Sequence, residues 1–384
     1  MIRSRALASA AFLLLLGIAA AILWLRPLDF LTRDVPPIEA VTVERVELDS
    51  GGITVRLRGD GSQPVSIAQV QVDGAYWRFE TIPPGPIPRL GTAVIRIPYP
   101  WMEGAVHELV FITATGITIP HTIEVAVATP TVDPVRLAAY ALIGLLVGVV
   151  PVGLGTLFYP ALAGMGRSNL GFLLSLTVGL LLFLLLDTVV EGLDAAASAP
   201  SALGAREVFW LVALLTTLAL LLAGRWTGGA PEGRRLAFFV ALGIGLHNLG
   251  EGLAIGAAFS AGEVALASFL VVGFMLHNFT EGIGIAAPLV GHRPKAWLFL
   301  ALIALAGLPT VPGTWAGAFA VTPFWIAVCF GVAAGAILQV VVELAVYIHR
   351  LARREGATWL NPRNAAGFAS GVGIMYGTAL LVTL

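Results

Sequence analysis

The sequence predicts a multi-pass α-helical membrane protein: a bundle of eight helices, preceded by an N-terminal anchor helix and a small β-sandwich domain. Of its 384 residues, 58% are hydrophobic and only 12% are charged, whereas soluble domains carry about 25% charged residues. Many apolar stretches reach the roughly 20 residues that span a bilayer. Between residues 31 and 134, the pattern changes to short segments in which apolar and polar residues alternate.

The composition argues against several classes of protein. The sequence has no basic patch interleaved with aromatic residues, so nucleic-acid binding is not predicted. Cys329 is the single cysteine, so the chain forms neither an internal disulfide nor a paired-cysteine metal site. The formal net charge of −1 is uninformative, because the position of each charge matters more than their sum.

Residues 1–30 begin with the basic segment MIRSR and continue into an apolar run. This run has about 20 residues, enough to cross a bilayer, whereas a cleaved signal peptide has a core of roughly 7–15 residues. We therefore predict an uncleaved signal anchor whose N-terminus is cytoplasmic. A cleaved signal peptide is the alternative.

Residues 31–134 are predicted to form an extracytoplasmic β-sandwich-like domain. Six segments alternate with period 2: VTVERVELD, ITVRLRGDG, VSIAQVQVDG, AVIRIPYP, HELVFITATG and HTIEVAVAT. Short strands separated by Gly, Pro and Asp at this spacing are typical of a sandwich. His107 and His121 are candidate metal ligands in this domain, and a solvated or structural role is the alternative for both.

Residues 135–384 are predicted to contain eight membrane-spanning helices. They lie near 136–158, 170–190, 207–224, 236–259, 265–290, 297–318, 324–348 and 365–384. Arginine and lysine concentrate in the loops that follow the first, third, fifth and seventh helices. Short loops of this kind stay in the cytoplasm. The sequence therefore predicts a protein of the cell (inner) membrane, embedded in the lipid bilayer, with its β-domain and its C-terminus outside the cytoplasm.

The fourth and fifth helices carry the same polar trio, HNLGEG from His247 and HNFTEG from His277. Positions i and i+4 of a helix share a face, so His247 pairs with Glu251 and His277 with Glu281. The loop between the two helices is short, so we expect antiparallel neighbours whose four side chains surround one ion. Two imidazoles and two carboxylates suit Zn²⁺ first, and also Fe²⁺, Mn²⁺ or Co²⁺.

Asn248 and Asn278 lie one step round each helix. With both glutamates as bridges, they are candidates to hold a second ion. An ionisable side chain at the bilayer centre costs at least about 2.5–3.5 kcal/mol on the insertion scale, so four such groups are hard to explain as structural. The alternative is that paired His–Glu hydrogen bonds join the two helices.

Four further polar residues of the predicted helices are candidates for the ion pathway: Asp187, Glu191, Gln339 and Glu343. The first two are spaced i,i+4 at the outer end of the second helix, where they form either an entrance that gathers cations or a solvated helix end. The other two lie in the inner half of the seventh helix, as part of an exit path or as a secondary site.

The segments HNLGEGLAIG and HNFTEGIGIAAPL resemble the paired motif of the ZIP (Zrt/Irt-like) divalent metal transporters, in particular the bacterial GufA-like branch. The run GVAAGAILQVVVEL is similar to the family's seventh helix. The resemblance covers about residues 135–384. It implies an eight-helix bundle built as a 3+2+3 inverted repeat, which moves divalent metal ions toward the cytoplasm.

The resemblance also implies a binuclear metal centre. The first ion would take His247, Glu251, His277 and Glu281. The second would take Asn248 and Asn278, with the two glutamates as bridges. The transported substrate would be Zn²⁺ or another divalent cation, such as Fe²⁺, Mn²⁺ or Cd²⁺, and no organic cofactor is expected.

The sequence departs from the family's pattern at several positions. Gly250 and Thr280 stand where a proline usually precedes each motif glutamate, and Val311 stands where many relatives carry a glutamate that completes the second site. The second site is therefore expected to be weakened or lost. The anchor and the β-domain do not belong to the family's common core.

A membrane transporter of divalent metal ions is the predicted function, and no enzymatic activity is predicted. Two alternatives stay open: a metal-binding membrane sensor or receptor without transport, and a metal-dependent intramembrane enzyme. The HExxH motif of zinc proteases is absent. The sequence leaves open the physiological metal, the direction of flux, a homodimer, and the partner of the β-domain.

Overall fold

The computed structural model describes residues 2–25, 38–226, 228–320, 322–354, 356 and 358–383. The predicted N-terminal anchor is helical over α1 (Ile2–Leu25), and residues 26–37 lie outside the described part. The segment Phe12–Ile22 of α1 is apolar, and the side chains described there are exposed. Its role as an anchor stays a prediction.

Eight strands form the small β-domain: β1 (Val41–Asp49), β2 (Gly52–Gly59), β3 (Ile67–Val72), β4 (Ala75–Trp77), β5 (Glu80–Ile82), β6 (Thr92–Ile97), β7 (His107–Thr113) and β8 (Thr118–Ile123). They pair into two four-stranded sheets, β1-β2-β6-β5 and β4-β3-β7-β8. Every pairing is antiparallel. A small β-domain of short strands is therefore confirmed, and the structure shows that it is antiparallel.

The core of the β-domain lies between the two sheets. Leu57 and Ile95 from the first sheet and Leu109 and Phe111 from the second are fully buried in one cluster. Period-2 alternation places these side chains on the inner faces. The sequence missed β4 and β5, which have only three residues each and too little alternation to detect. It also placed the last strand at 121–129, whereas β8 spans Thr118–Ile123.

Eleven further α-helices follow in the described residues: α2 (Pro134–Gly144), α3 (Val150–Thr156), α4 (Tyr159–Gly164), α5 (Arg167–Ala197), α6 (Ala205–Arg225), α7 (Gly233–Ser260), α8 (Val264–Ala286), α9 (Ala296–Gly307), α10 (Thr310–Phe319), α11 (Pro323–Arg353) and α12 (Pro362–Thr383). A π-helical turn, Leu145–Val149, joins α2 to α3. Short 3-10 turns cover Ser201–Leu203 and Ala287–Leu289.

Seven helical stretches in the described residues are long and apolar enough to cross a membrane: Pro134–Gly164, Ser168–Ala197, Ser201–Arg225, Gly233–Ser260, Val264–Leu289, Ala296–Phe319 and Pro323–Arg353. They correspond to the first seven predicted spans, which supports a membrane-embedded protein. The eighth predicted segment is helical as α12, but it is not one of these seven.

The first and sixth predicted helices are broken rather than continuous. The first comprises α2, the π-helical turn, α3 and α4, and the sixth comprises α9 and α10. Pro151, Pro160 and Pro309 lie near these breaks. Proline removes a backbone donor and clashes with the preceding turn, which the hydropathy of a continuous apolar run does not reveal.

The β-domain is docked on one end of the helix bundle. The Asp60 carboxylate accepts hydrogen bonds from the backbone N–H groups of Ser201 and Ala202, at 2.9 and 2.8 Å, and from the Ser201 hydroxyl at 3.1 Å. Arg45 donates to the backbone carbonyl of Phe319 at 3.0 Å. We call this end of the bundle the β-domain face.

The opposite end, which we call the basic face, carries the arginine-rich loops. Arg350 pairs with Glu232 at 2.9 Å, and Arg363 donates to the Ser168 hydroxyl at 2.7 Å. The loops that the β-domain contacts are therefore on the other end of the bundle from these arginines. The alternation that the sequence predicted for the loops is reproduced as two distinct faces.

Candidate metal centre

The two motif helices, α7 and α8, lie against each other in the middle of the bundle. A turn of residues 261–263 joins them. Glycines of both motifs permit close approach to other helices: a Cβ on Gly252 would lie 2.2 Å from the carbonyl oxygen of Thr310, and one on Gly282 would lie 2.2 Å from that of Val152. The motif glycines therefore allow α7 to pack closely against α10, and α8 against α3.

Three motif side chains form a compact group of candidate metal ligands. His247, Glu251 and His277 are at most 4% exposed, and each offers one ligand atom within 4.8 Å of the other two. Glu251 Oε1 lies 3.1 Å from His247 Nε2 and also contacts His277 Nε2. The structure thus brings together residues from both motifs around one carboxylate oxygen.

The two motif asparagines are held by the neighbouring broken helices. Asn278 Nδ2 donates to Glu251 Oε2 at 2.9 Å and to the carbonyl of Val147 at 3.0 Å. Asn248 Nδ2 donates to the carbonyl of Ala306 at 3.0 Å. Both carbonyls belong to the broken first and sixth spans, so these spans orient the amides beside the centre.

Glu281 is the fourth ligand that the motif spacing predicts for the first ion. Its side chain is buried and interacts electrostatically with Glu251, but it is not in the group of three within 4.8 Å. Both its oxygens lack a hydrogen-bond partner among the described residues. The buried carboxylates of Glu251 and Glu281 therefore lie near enough to each other to interact.

The centre is rich in polar atoms without hydrogen-bond partners in the described part of the chain. They are His247 Nδ1, Asn248 Oδ1, Asn278 Oδ1, Glu281 Oε1 and Glu281 Oε2. Leaving a buried polar group unpaired costs about 1–3 kcal/mol. A divalent cation would coordinate imidazole nitrogens and carboxylate or amide oxygens of this kind. The donor set therefore fits a metal ion.

Asp187 and Glu191 lie closer to the centre than the sequence suggested. Asp187 interacts electrostatically with both His277 and His247, and Glu191 interacts with Glu251. Asp194 continues the same face of α5 toward the β-domain face, since residues i, i+4 and i+7 align on a helix. These acids extend from the end of α5 near Ser198 inward to the histidines.

Gln339 and Glu343 lie on α11, away from the group of three. Both side chains are buried. Among the described residues, neither the amide atoms of Gln339 nor the carboxylate oxygens of Glu343 have a hydrogen-bond partner. Glu343 does form an ion pair with Arg225 at 3.1 Å, a contact that is close but lacks hydrogen-bond geometry.

One polar residue near the centre was not singled out from the sequence. Thr310 is fully buried, and its hydroxyl has no hydrogen-bond partner within the described residues. A Cβ on Gly148 would lie 2.2 Å from this hydroxyl, one residue from Val147. The sequence feature that could have identified Thr310 is a hydroxyl side chain between the two prolines of GLPTVPG, where the sixth span is broken. The neighbouring Val311 packs against Gly144 and offers no ligand atom.

The histidines of the β-domain have structural surroundings. His107 is buried, with Nδ1 2.7 Å from Asp73 Oδ2, and its Nε2 accepts the N–H of Met102 at 3.4 Å. His121 lines a junction cavity of about 410 Å³ between the β-domain and the bundle, and burial lowers its pKa. Neither belongs to a group of three candidate ligands in the described ranges.

The Asp73 carboxylate is the hub of the His107 cluster. Burial acts to raise the pKa of Asp73, but hydrogen bonds from Tyr99, the Glu108 backbone and His107 outweigh it and hold that pKa below its ordinary value. The Tyr99 hydroxyl donates to Asp73 at 2.7 Å. This hydrogen bond, with burial and the carboxylate charge, raises the pKa of Tyr99.

No family model matches the sequence, and no curated protein matches it either. The motifs and the arrangement of their side chains are therefore the basis for a functional proposal.

Proposed function

We propose that this protein carries divalent metal ions, with Zn²⁺ as the first candidate, across a membrane through the centre on α7 and α8. One observation carries the proposal. Imidazoles of His247 and His277 converge on a single oxygen of Glu251 inside a helix bundle, beside a second buried carboxylate without a partner among the described residues. Divalent metal ions are the species that such a set of side-chain ligands binds best.

Polar residues on both sides of the centre support transport rather than a structural metal. Asp187 and Glu191 lead from the centre toward the β-domain face, and Gln339 and Glu343 lie toward the basic face. A structural site needs neither series, because it has no requirement for access from two sides. A carrier needs both, and intramembrane ionisable residues typically mark ion pathways.

The packing of the helices supports the 3+2+3 inverted repeat that the resemblance implies. α8 packs on α3 as α7 packs on α10, and α12 packs on α5 as α6 packs on α11. Asn278 donates to the first span as Asn248 donates to the sixth. These pairs exchange when the first three spans are swapped with the last three, and substrate sites of carriers commonly lie at such a repeat interface.

The two faces of the bundle support the proposed orientation. The arginine-rich loops share one face and the β-domain covers the other, and loops rich in arginine stay in the cytoplasm. In the orientation we propose, the β-domain is extracytoplasmic and the basic face is cytoplasmic. The resemblance implies flux toward the basic face.

Uptake into proteoliposomes that hold the purified full-length protein tests the proposal. Zn²⁺, Fe²⁺, Mn²⁺ and Cd²⁺ are compared for the wild type, Glu251→Ala and Glu281→Ala. Glu207→Ala, which removes an exposed carboxylate at the start of α6, is the matched control. We expect saturable flux that both motif variants abolish and the control retains.

Two results would contradict the proposal. Wild-type flux in Glu251→Ala would remove the centre from the transport path. Tight metal binding without flux in the wild type would turn the same residues into a sensory or structural site, and the β-domain would become the place to look for function. Turnover of a substrate by the metal-loaded protein would instead favour a membrane enzyme.

A further inference from the structure

A second polar site lies on α11, between the metal centre and the basic face. Gln339 and Glu343 are four residues apart and therefore share one face of the helix. Their exposed fractions are 0% and 1%. In the part of the chain that the structure describes, both atoms of the Gln339 amide and both oxygens of Glu343 lack a hydrogen-bond partner.

The depth of this site follows from its neighbours on α6 and α7. A Cβ on Gly243 would lie 2.7 Å from Gln339 Oε1, and Gly243 precedes His247 by four residues, about 6 Å along the helix. A Cβ on Gly224, next to the last residue of α6, would lie 3.7 Å from Glu343 Oε1. Gln339 is therefore nearer the metal centre, and Glu343 is nearer the basic face.

Arginines surround the carboxylate of Glu343 at the end nearest the basic face. Arg225 Nη1 lies 3.1 Å from Glu343 Oε1, and the Arg225 side chain is 33% exposed. Arg350 and Arg235 also act electrostatically on Glu343, but Arg350 is directed to Glu232 at 2.9 Å. Arg225 is the last residue of α6, so its side chain has room to turn outward.

We propose that Gln339 and Glu343 form a second cation site, used in transit between the metal centre and the basic face, and that Arg225 is the built-in counter-ion that a divalent cation displaces. This inference rests on the proposed transport function. It assigns Glu343 two partners in turn: the guanidinium when no cation is present, and the cation when one passes.

The chemistry of the two sites is complementary. The centre offers imidazole nitrogens, whereas the α11 site offers only carboxylate and amide oxygens, which suit Mn²⁺ or Mg²⁺ better than Zn²⁺. A weak oxygen site favours release, since conduction requires binding that is weak enough for the ion to leave. Arg225 restores the charge balance of the buried carboxylate afterwards, because an unpaired buried charge is destabilising.

Equilibrium titration of the purified full-length protein with Mn²⁺ alone tests the proposal. Arg225→Gln removes the competing charge, so we expect the α11 site to bind Mn²⁺ at least about tenfold more tightly than in the wild type. Arg225→Gln/Glu343→Gln keeps the charge balance but removes the carboxylate, so it should bind one Mn²⁺ fewer than Arg225→Gln. Gln339→Leu in the Arg225→Gln background should weaken that ion.

Arg353→Gln is the matched control. It neutralises an exposed arginine of α11, the helix that carries Glu343, and it should bind Mn²⁺ as the wild type does. Equal numbers of Mn²⁺ ions in Arg225→Gln and in the double variant would overturn the proposal. Glu343 would then be only the structural partner of the arginines.

The ion at the central site separates this outcome from failure of the proposed function. The central ion should persist in every variant of Arg225, Gln339 or Glu343, which also shows that the variant is folded. It should be lost in Glu251→Ala. If Glu251→Ala leaves all bound ions in place, the central site is wrong. If Glu251→Ala loses the central ion but the variants of Arg225, Gln339 and Glu343 bind Mn²⁺ as the wild type does, only the proposal of a second cation site is wrong.

Discussion

Two clusters in this molecule join histidine to a carboxylate, and they differ in how well their polar atoms are satisfied. In the β-domain, the Asp73 carboxylate accepts hydrogen bonds from the Tyr99 hydroxyl, the Glu108 backbone N–H and the His107 ring. The second nitrogen of His107 accepts a backbone N–H. In the bundle, the centre around Glu251 retains five polar atoms without hydrogen-bond partners among the described residues.

The comparison shows how a structural histidine differs from a candidate ligand. A histidine whose two nitrogens both have protein partners has no lone pair to offer, and its cluster stabilises a turn. Buried polar atoms without partners are costly. Their concentration at the centre on α7 and α8 therefore supports the proposal that a divalent cation binds there. The sequence alone presents both as histidines near acids.

Removal of the shared carboxylate should give the largest difference between the clusters. Glu251→Ala should lower initial Zn²⁺ uptake at least about 100-fold, since even residues behind metal ligands change affinity by about 10–100-fold. His247→Ala should do the same. His107→Ala should leave uptake unchanged in radiotracer assays at 25 °C. Equal losses in His247→Ala and His107→Ala would erase the distinction.

Acidification should separate the clusters next. Histidine binds metal only in its neutral form, so protons compete with the ion. We expect Zn²⁺ uptake to fall about tenfold or more as the pH is lowered to about 5, measured with identical pH on both sides of the vesicle. Uptake that rises steadily through this range would argue against an imidazole-based site.

The β-domain cluster should respond to pH through its stability. The folded-state pKa of Asp73 is depressed, so its stabilising contribution is present above the ordinary value of 3.8 and is lost as the pH falls below it. His107→Ala should destabilise the domain by about 1–3 kcal/mol at neutral pH, because it removes a buried ring together with its hydrogen bonds to Asp73 and to the Met102 backbone. Thermal melts of wild type and variant at pH 7 and below pH 4 check both. A β-domain stability that does not change over this range would contradict the role of Asp73.

Loosening the contact between the two regions should have the smallest effect on flux. Asp60→Asn weakens three hydrogen bonds to Ser201 and Ala202. We expect amide exchange at these two residues to rise at least about tenfold, while Zn²⁺ uptake stays within about twofold, since the ligand set lies entirely within the bundle. Asp49→Asn, at the exposed end of β1, is the control. A large loss of uptake would make the β-domain part of the transport machinery.

Local patterns determined much of this protein from the sequence. Period-2 alternation located the β-domain, apolar runs of about 20 residues located seven spans, and i,i+4 spacing placed His247 and Glu251 on one helix face. Each of these is a property of a segment a few turns long, so no partner from elsewhere in the chain is needed to detect it.

Contacts across the fold were decided only by the tertiary structure. That His277 contacts Glu251, rather than Glu281 on its own helix, depends on the register between α7 and α8, which close glycine packing against α10 and α3 fixes. The ion pair between Arg225 and Glu343 joins residues 118 positions apart. Helical periodicity gives the face on which a side chain lies, but packing between helices decides which other face it meets.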